Sequence, residues 1–242
     1  MNISVILPAY NEEQNIEETI SRSLEALRPL FEEFEIIIID DASTDKTGKI
    51  ADILASKHQE IKVIHNSQNR GQGRNILLGF QQAKYDLVTH NGMDYPFDFR
   101  DLSKMLPLLE EADIVVASRS TRAGYTLYRK FLSLTNTMLL HFISDLRLPD
   151  YNFVQLYKKF VLDSVLLEVE GRSTGFVIPE ILIRSHKKGH RIKEVEIEYY
   201  FREKGVSTAG HPRVVFSSFF NLVRFWLKTK IKNKDFRRIR SE

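Results

Sequence analysis

"IIIIDDASTDKT", residues 36–47, sets four isoleucines in a row against two carboxylates and a run of turn-forming residues. A strand with one wet face would alternate polar and apolar residues, and a helix would show a 3.6-residue rhythm. Four β-branched residues without a break do neither. They suit a strand buried on both faces, as in a parallel sheet covered by helices. At Asp40 the apolar run stops, and short polar side chains that bond to nearby backbone take over, which favours a turn and then a helix start.

The pattern continues on either side. Upstream, "ISVIL" (3–7) is a second apolar run. Between the two, Ile16, Ile20, Leu24 and Leu27 make one helical stripe, and Asn11 and Gln14 are spaced as a capping box. Downstream, "IKVIH" (61–65), "DLVTH" (86–90) and "DIVVAS" (113–118) read as strands, with helices over 72–84 and 100–111. Strands alternating with helices predict an α/β fold, a Rossmann-like, mostly parallel sheet flanked by helices. Ligands of such sheets sit outside the carboxyl ends of the strands. Just past those ends stand Pro8, Ala9, Tyr10, Asn11 and Glu12, then Asp40 and Asp41, then Asn69, Arg70 and Gly71, then Gly92, Met93 and Asp94, then Arg119. Five polar segments are expected on one rim.

The second half changes character. Residues 126–144 form a long helical pattern with Arg129, Ser133 and Asn136 on one side. "PEILIRSHKKG" (179–189) is a helix with Pro in its first turn and Gly at its end. "VEIEYYF" (195–201) turns Val195, Ile197, Tyr199 and Phe201 inward and Glu196 and Glu198 outward, a half-exposed strand. "RVVFSSFFNLVRFWLK" (213–228) is apolar around most of its circumference but too short and too polar to span a bilayer. From residue 221 on, Arg224, Lys228, Lys230, Lys232, Lys234, Arg237, Arg238 and Arg240 face only Asp235 and Glu242. Since the whole chain carries a formal +3, the tail is basic and the rest slightly acidic. The chain divides into a domain over 1–210 and an amphipathic helix with a basic tail over 211–242.

Composition excludes several classes. With 43% hydrophobic and 28% charged residues over 242 positions, the chain reads as an ordinary soluble globular protein. It has no cysteine, hence no disulfide scaffold, thiolate zinc site or cysteine nucleophile. The opening "MNISVILPAY" lacks the basic and apolar regions of a secretory leader, so a cytoplasmic location is expected.

Each rim segment has a functional and a plain reading. "PAYNE" (8–12) offers helix N-terminal N–H groups to an anion, with Glu12 accepting from a ribose or base, or it is a simple capping turn. Asp41 accepts from a nucleobase N–H while Asp40 supports a loop, or Asp40, Asp41 and Ser43 make Asx turns and cap the helix after Asp45. "NRGQGRN" (69–75) brings two glycines with Arg70 and Arg74 but matches neither a P-loop nor GxGxxG.

"ILPAYNE", "IIIDDASTDKT", "NRGQGRNILLGF", "DIVVASR", "GHRIKEVEIEY" and "REKGVS" stand in the order and spacing of family 2 glycosyltransferases. The chain resembles their dolichol-phosphate mannosyltransferase-like branch over roughly residues 2–210. The resemblance implies a GT-A fold, Mg2+ or Mn2+, and an inverting transfer from a GDP- or UDP-linked nucleotide sugar to a polyprenyl (dolichyl or undecaprenyl) phosphate. On this likeness the donor-binding residues are Pro8, Ala9, Tyr10, Glu12, Asp40, Asp41, Asn69, Gly71, Gly92 and Met93. Arg129 and Ser133 in "TLYRKFLSLTN" (126–136) resemble the pair that grips the acceptor phosphate. Arg119 and Arg202, the latter in "FREKGVS", match arginines that gather the acceptor phosphate and donor diphosphate, work that suits a planar guanidinium.

Two departures stand out. The family carries Asp-x-Asp after the fourth strand, and "HNGMDYPFD" (90–98) puts Gly92-Met93-Asp94 there. Asp94 is then the one acid for the metal, with His90 or Asn91 reaching it through water, or else it caps the turn at Tyr95-Pro96. Hard divalent ions take one or two protein carboxylates and fill other positions with phosphate and water. Where the family reads Gly-Phe-Arg after an acid, Asp150 precedes "YNFVQLYKK", with Phe153-Val154-Gln155 replacing the trio, which bears on the donor sugar or acceptor contact.

A phosphate acceptor is already an anion and needs positioning and charge stabilisation rather than a base. A sugar-hydroxyl acceptor on a glycan would need a carboxylate base, with Asp150 and Glu180 the first candidates. A nucleotide-sugar-binding module without turnover is the reading from another class. The 213–240 segment suits an interfacial helix meeting anionic headgroups, so peripheral contact with the inner membrane face is expected. Nothing else in the chain supports a nucleic-acid partner.

Overall fold

The computed structural model describes residues 1–120, 127–170, 176–198, 222 and 224–227, without the side chains of 127–133 and 136. Its strands are β1 (Ile3–Ala9), β2 (Phe34–Asp40), β3 (Ile61–His65), β4 (Leu87–His90), β5 (Ile114–Arg119), β6 (Val154–Lys158) and β7 (Ile192–Ile197). Among the described residues they form one sheet in the order β3-β2-β1-β4-β6-β5-β7. Its pairings are parallel except those of β6, which runs antiparallel to both β4 and β5. Every residue of β2 is buried, as the unbroken isoleucine run requires.

Alternate side chains of these strands supply two cores. One face packs Val5, Leu7, Ile36 and Ile38 against α1 (Ile16–Leu27), α2 (Thr47–Lys57) and the segment through α4 (Leu102–Met105). The other packs Ile6, Ile37, Ile39, Val88 and Val116 against α3 (Gln72–Gln82), α5 (Leu127–Ile143), α6 (Lys159–Val165) and α7 (Val177–Lys187). A Cβ on Gly79 would collide with the Ile6 side chain, so glycine is what lets α3 lie so close to β1. Leu222 and Phe225 bury themselves in this second core beside Phe176.

Several expectations shift. The helix expected over 100–111 is instead a 3-10 turn (Phe99–Asp101), α4, and a second 3-10 turn (Leu106–Glu110), because Pro107 cannot donate the bond that an unbroken helix needs. No capping box forms at Asn11. That residue turns to φ 55°, and α1 starts later, after Asn15. β7 begins at Ile192, earlier than read, while Glu196 and Glu198 are exposed and Ile197 buried, as the alternation demanded. β6 and α6 had no counterpart in the sequence reading.

Two consequences position the site. The chain builds β1, β2 and β3 in one direction and then lays β4 on the other side of β1, so the strand order reverses between β1 and β4, and a ligand crevice opens at such a reversal. Because β6 is reversed, the residues leading into it, 150–153, lie at the same sheet edge as the carboxyl ends of the other strands.

Candidate functional site

On one side of the crevice, the loops after β1 and β2 are bonded to each other. The N–H groups of Asn11, Glu12 and Glu13 donate to Ser43 Oγ (3.0 Å), Thr47 Oγ1 (2.7 Å) and Asp45 Oδ2 (3.2 Å). In return Asn11 Oδ1 accepts from Thr44 N (2.8 Å) and Glu13 Oε2 from Lys46 N (3.1 Å). These bonds correct the expectation that "PAYNE" holds its N–H groups out for an anion, since side chains of the neighbouring loop take them. Glu12 Oε2 accepts from Asn15 Nδ2 at 2.6 Å. Pro8 and the buried Ala9 lie in β1 itself, and Tyr10 stands out at the rim, 48% exposed.

Asp40 and Asp41 are both buried, and both brace loops. Asp40 Oδ1 accepts from Ser43 N, three residues on (3.1 Å), and Oδ2 meets His65 Nδ1 (3.0 Å). Asp41 accepts from Asn66 Nδ2 (2.9 Å) and Arg70 N (2.8 Å) at Oδ1, and from Gly71 N (2.8 Å) at Oδ2. Asn66 also donates to the buried Asn75 (2.7 Å). Asp41 therefore moulds the segment carrying Asn69 and Gly71 into the start of α3, where Gly71 adopts φ 82°, a conformation glycine takes without penalty.

On the other side lies "HNGMDYPFD". Thr19 Oγ1 of α1 donates to the Met93 carbonyl (2.6 Å), Asn91 Nδ2 to the Phe97 carbonyl (2.7 Å), and Gly92 N to Asn91 Oδ1 (2.9 Å). Tyr95 N closes the turn on the Gly92 carbonyl (3.1 Å). Tyr95 itself is buried at φ 51°, with the Arg22 guanidinium 4.1 Å from its ring centre. Asp98 is buried and takes Arg100 through Nε and Nη2, bonds that outweigh burial and hold its carboxyl below the usual carboxylate range.

His90 and Asn91 are not reserve metal ligands. Asn91 is buried and spent on the loop. His90 lies under Phe80, bonds Gln155 Oε1 through Nε2 (2.9 Å), and burial pushes it down to about 4. Asp94 is half-buried at the turn. A Cβ at Gly92 would strike Asp94 Oδ1, so the sole carboxylate of the motif reaches over the place where the absent first acid would begin. Among the described residues no group of three or more His, Asp or Glu is placed to hold a metal. With one carboxylate at this turn, a hard divalent cation held by Asp94 would need ligand oxygens and water in its other positions.

Further along the rim, Arg119 Nε donates to Asp150 Oδ2 at 2.6 Å, and the guanidinium lies 5.2 Å from the Phe153 ring centre. Ser118, Arg119, Pro149, Asp150, Glu194 and Glu196 line a cavity of about 330 Å3. The antiparallel β6 thus brings together two candidates that the sequence reading held on separate grounds. Glu180 does not join them. It is buried on α7 against Arg184 (2.7 Å), so it is no base for this rim. Burial raises its pKa, and Arg184 only partly offsets that. The backbone of Arg129 and Ser133 lies in α5, but their side chains, and all of Arg202 and 213–221, fall outside the described residues. His65 and Thr47 were missed, because a brace between segments twenty-five to thirty-five residues apart leaves no local pattern.

Residues 4–167 match the model of glycosyl transferase family 2. The chain is 31% identical over 234 residues to a dolichol-phosphate mannosyltransferase of Pyrococcus furiosus, an alignment covering 93% of this chain and 62% of that protein. It shares 28% identity over 216 residues with an undecaprenyl-phosphate mannosyltransferase of Micrococcus luteus, covering 86% of this chain and 87% of the other. Among solved structures, glucosyl-3-phosphoglycerate synthase from Mycobacterium tuberculosis in complex with UDP gives a TM-score of 0.67 at 19% identity, covering 93% of this chain and 80% of that one. Mannosyltransferase PcManGT from Pyrobaculum calidifontis in complex with GDP-Man and Mn2+ gives 0.58 at 15%, covering 89% and 68%. The fold is GT-A, and the chain belongs to glycosyl transferase family 2.

Proposed function

We propose that this family 2 chain transfers a sugar, with inversion, from a GDP- or UDP-linked nucleotide sugar to a polyprenyl phosphate. The observation that carries the reading is the half-buried carboxylate of Asp94 at the strand-order reversal, on a lip whose His90, Asn91 and Asp98 are buried and bonded. The Pyrococcus and Micrococcus relatives, named for dolichol phosphate and undecaprenyl phosphate, support the acceptor class. The Pyrococcus relative is the longer protein, this chain spanning 62% of it.

In this reading the cross-bonded loops after β1 and β2 form a stiff wall for the nucleoside, with Tyr10 offering its ring and Asp41 shaping the 66–71 loop. Asp94 would hold Mg2+ or Mn2+, which when bound neutralises charge on the departing diphosphate. Arg119 gathers the acceptor phosphate, a role that the family likeness also gives to Arg129, Ser133 and Arg202. Asp150 orients the Arg119 guanidinium. A carboxylate engaged at 2.6 Å by an arginine is poorly placed to take a proton, which favours a phosphate acceptor over a sugar hydroxyl. Since the acceptor is already an anion, the chain's task is alignment and charge placement.

A lipid acceptor requires a membrane face. No helix among the described residues is long and apolar enough to cross one. On α5, Leu134, Met138 and Phe142 are 52%, 60% and 79% exposed, and their i, i+4, i+8 spacing aligns them on one side. That stripe continues the helix carrying Arg129 and Ser133 and suits peripheral contact.

The test is release of nucleoside diphosphate by the full chain with Mn2+ and each nucleotide sugar in turn. Release that depends on polyprenyl phosphate in detergent supports the reading. Release only with a glycan acceptor points to hydroxyl transfer, and donor binding without release points to a module without turnover.

A further inference from the structure

His65 ends β3 at the donor rim and is held from both sides. Nδ1 lies 3.0 Å from Asp40 Oδ2, and Nε2 lies 2.9 Å from Asp52 Oδ1. Asp40 comes from β2 and is buried, whereas Asp52 comes from α2 and is exposed. These two carboxylates are the charged groups acting on the ring. The first turn of α2 meets the pair with Gly48, where a Cβ would stand 2.8 Å from Asp40 Oδ2 and 3.4 Å from His65 Cε1.

The bonds continue inward. Asp40 Oδ1 holds Ser43 N, Ser43 Oγ holds Asn11 N, and the Asp40 carbonyl takes Asn66 N (2.9 Å). His65 is therefore the outer end of a chain of contacts that runs through the loop after β2 to the loop after β1. An imidazolium donates at both nitrogens, while a neutral ring donates at one and turns a lone pair on the other. With a carboxylate at each nitrogen, both bonds exist only in the protonated ring.

We propose that protonated His65 is a positioning residue for the donor rim: it ties α2 to the end of β2, holds the 41–47 loop against the β1 loop, and supplies positive charge beside an anionic nucleotide. The inference rests on the proposed donor site. The Asp40 hydrogen bond, then that of Asp52, hold the ring above its ordinary 6.5 despite partial burial. Loss of the proton releases one brace and removes the charge, so the grip on nucleotide weakens as pH rises.

Titration of the His65 ring by NMR, and calorimetric binding of UDP and of GDP with Mg2+ to the full chain across pH 6 to 9, test this. Affinity falls about threefold to tenfold through the ring's midpoint, and bound nucleotide shifts that midpoint upward, since linkage is reciprocal. Asp52→Asn, an exposed change that leaves the fold intact, moves both the ring's midpoint and the fall in affinity to lower pH. The nucleotide's own titration is common to both proteins and cancels in that comparison. A binding profile identical in wild type and Asp52→Asn, while the ring's midpoint moves, would leave His65 a stabilising contact only and overturn the inference. Nucleotide binding at no pH would remove the donor-site reading and the inference with it.

Discussion

On the β2 side of the strand-order reversal, three successive N–H groups of one loop are bonded to side chains of another, and Asp41 collects three donors from a third segment. On the β4 side aromatic packing joins the hydrogen bonds that pin the lip. Phe97 sits edge-on to both Phe99 and Phe153, and Tyr95 to Phe99. One wall is thus a polar lattice with little area to lose, and the other is a small apolar core with a carboxylate at its tip. Polar substitutions should break the first, truncations the second, and Asp94 should be separable from both.

The largest effect is expected for Phe97→Ala. Its ring is wholly buried, and truncation of such a side chain costs about 4 kcal/mol, read from denaturant midpoints. Asp41→Ala follows at about 3 kcal/mol, because donors on Asn66, Arg70 and Gly71 lose their buried acceptor. The same variant should loosen the 66–71 loop, seen as faster amide exchange there than at 91–98. A comparable loss comes from acid. The folded value for His90, about 4, lies below its ordinary 6.5, so the unfolded chain protonates first. The contribution is intact above pH 6.5 and is lost as pH falls towards 4, up to about 3 kcal/mol. His90→Gln keeps a donor for Gln155 and should remove that part of the acid dependence from melts. Asp94→Asn should change stability least, within about 0.5 kcal/mol, while abolishing metal-dependent donor binding in a Mn2+ titration. Unchanged metal-dependent binding would take Asp94 out of the site.

The two histidines at the sheet edge run in opposite senses. His90, buried beside a neutral amide, favours the uncharged ring, so its contribution fades in acid. His65, between two carboxylates, favours the charged ring, and its contribution is full below 6.5 and fades as pH climbs through its raised value.

Much of the frame was legible because it is local. The Ile36–Ile39 run, the stripe from Ile16 to Leu27 and the polar residues after each strand all report their environment within a few positions. The strand β6 was not legible, since "VQLYK" carries a buried glutamine and no apolar run, and nothing local records that it points the other way. Pro107 was the visible warning against an unbroken helix over 100–111. At the site, residue types were readable and their commitments were not. Whether Asp41 faces a ligand or a loop depends on Asn66, Arg70 and Gly71, twenty-five to thirty positions later. Gly92 showed that an acid was absent, but not that the Asp94 oxygen leans across its place.

The reversed strand β6 also constrains how the molecule is made. The run from β1 to β4 pairs within itself and is complete by residue 90, so it can begin to collapse while later segments are still being synthesised. Among the described residues β5 pairs with β6 and β7, both of which come later in the chain, so its β7 edge stays open until translation passes residue 197 and its β6 edge until it passes 158. The pairing of Arg119 with Asp150 must await the same moment. A pause or a nick between residues 120 and 150 would leave the first four strands assembled and β5 exposed as a sticky edge, the point at which nascent chains would associate wrongly.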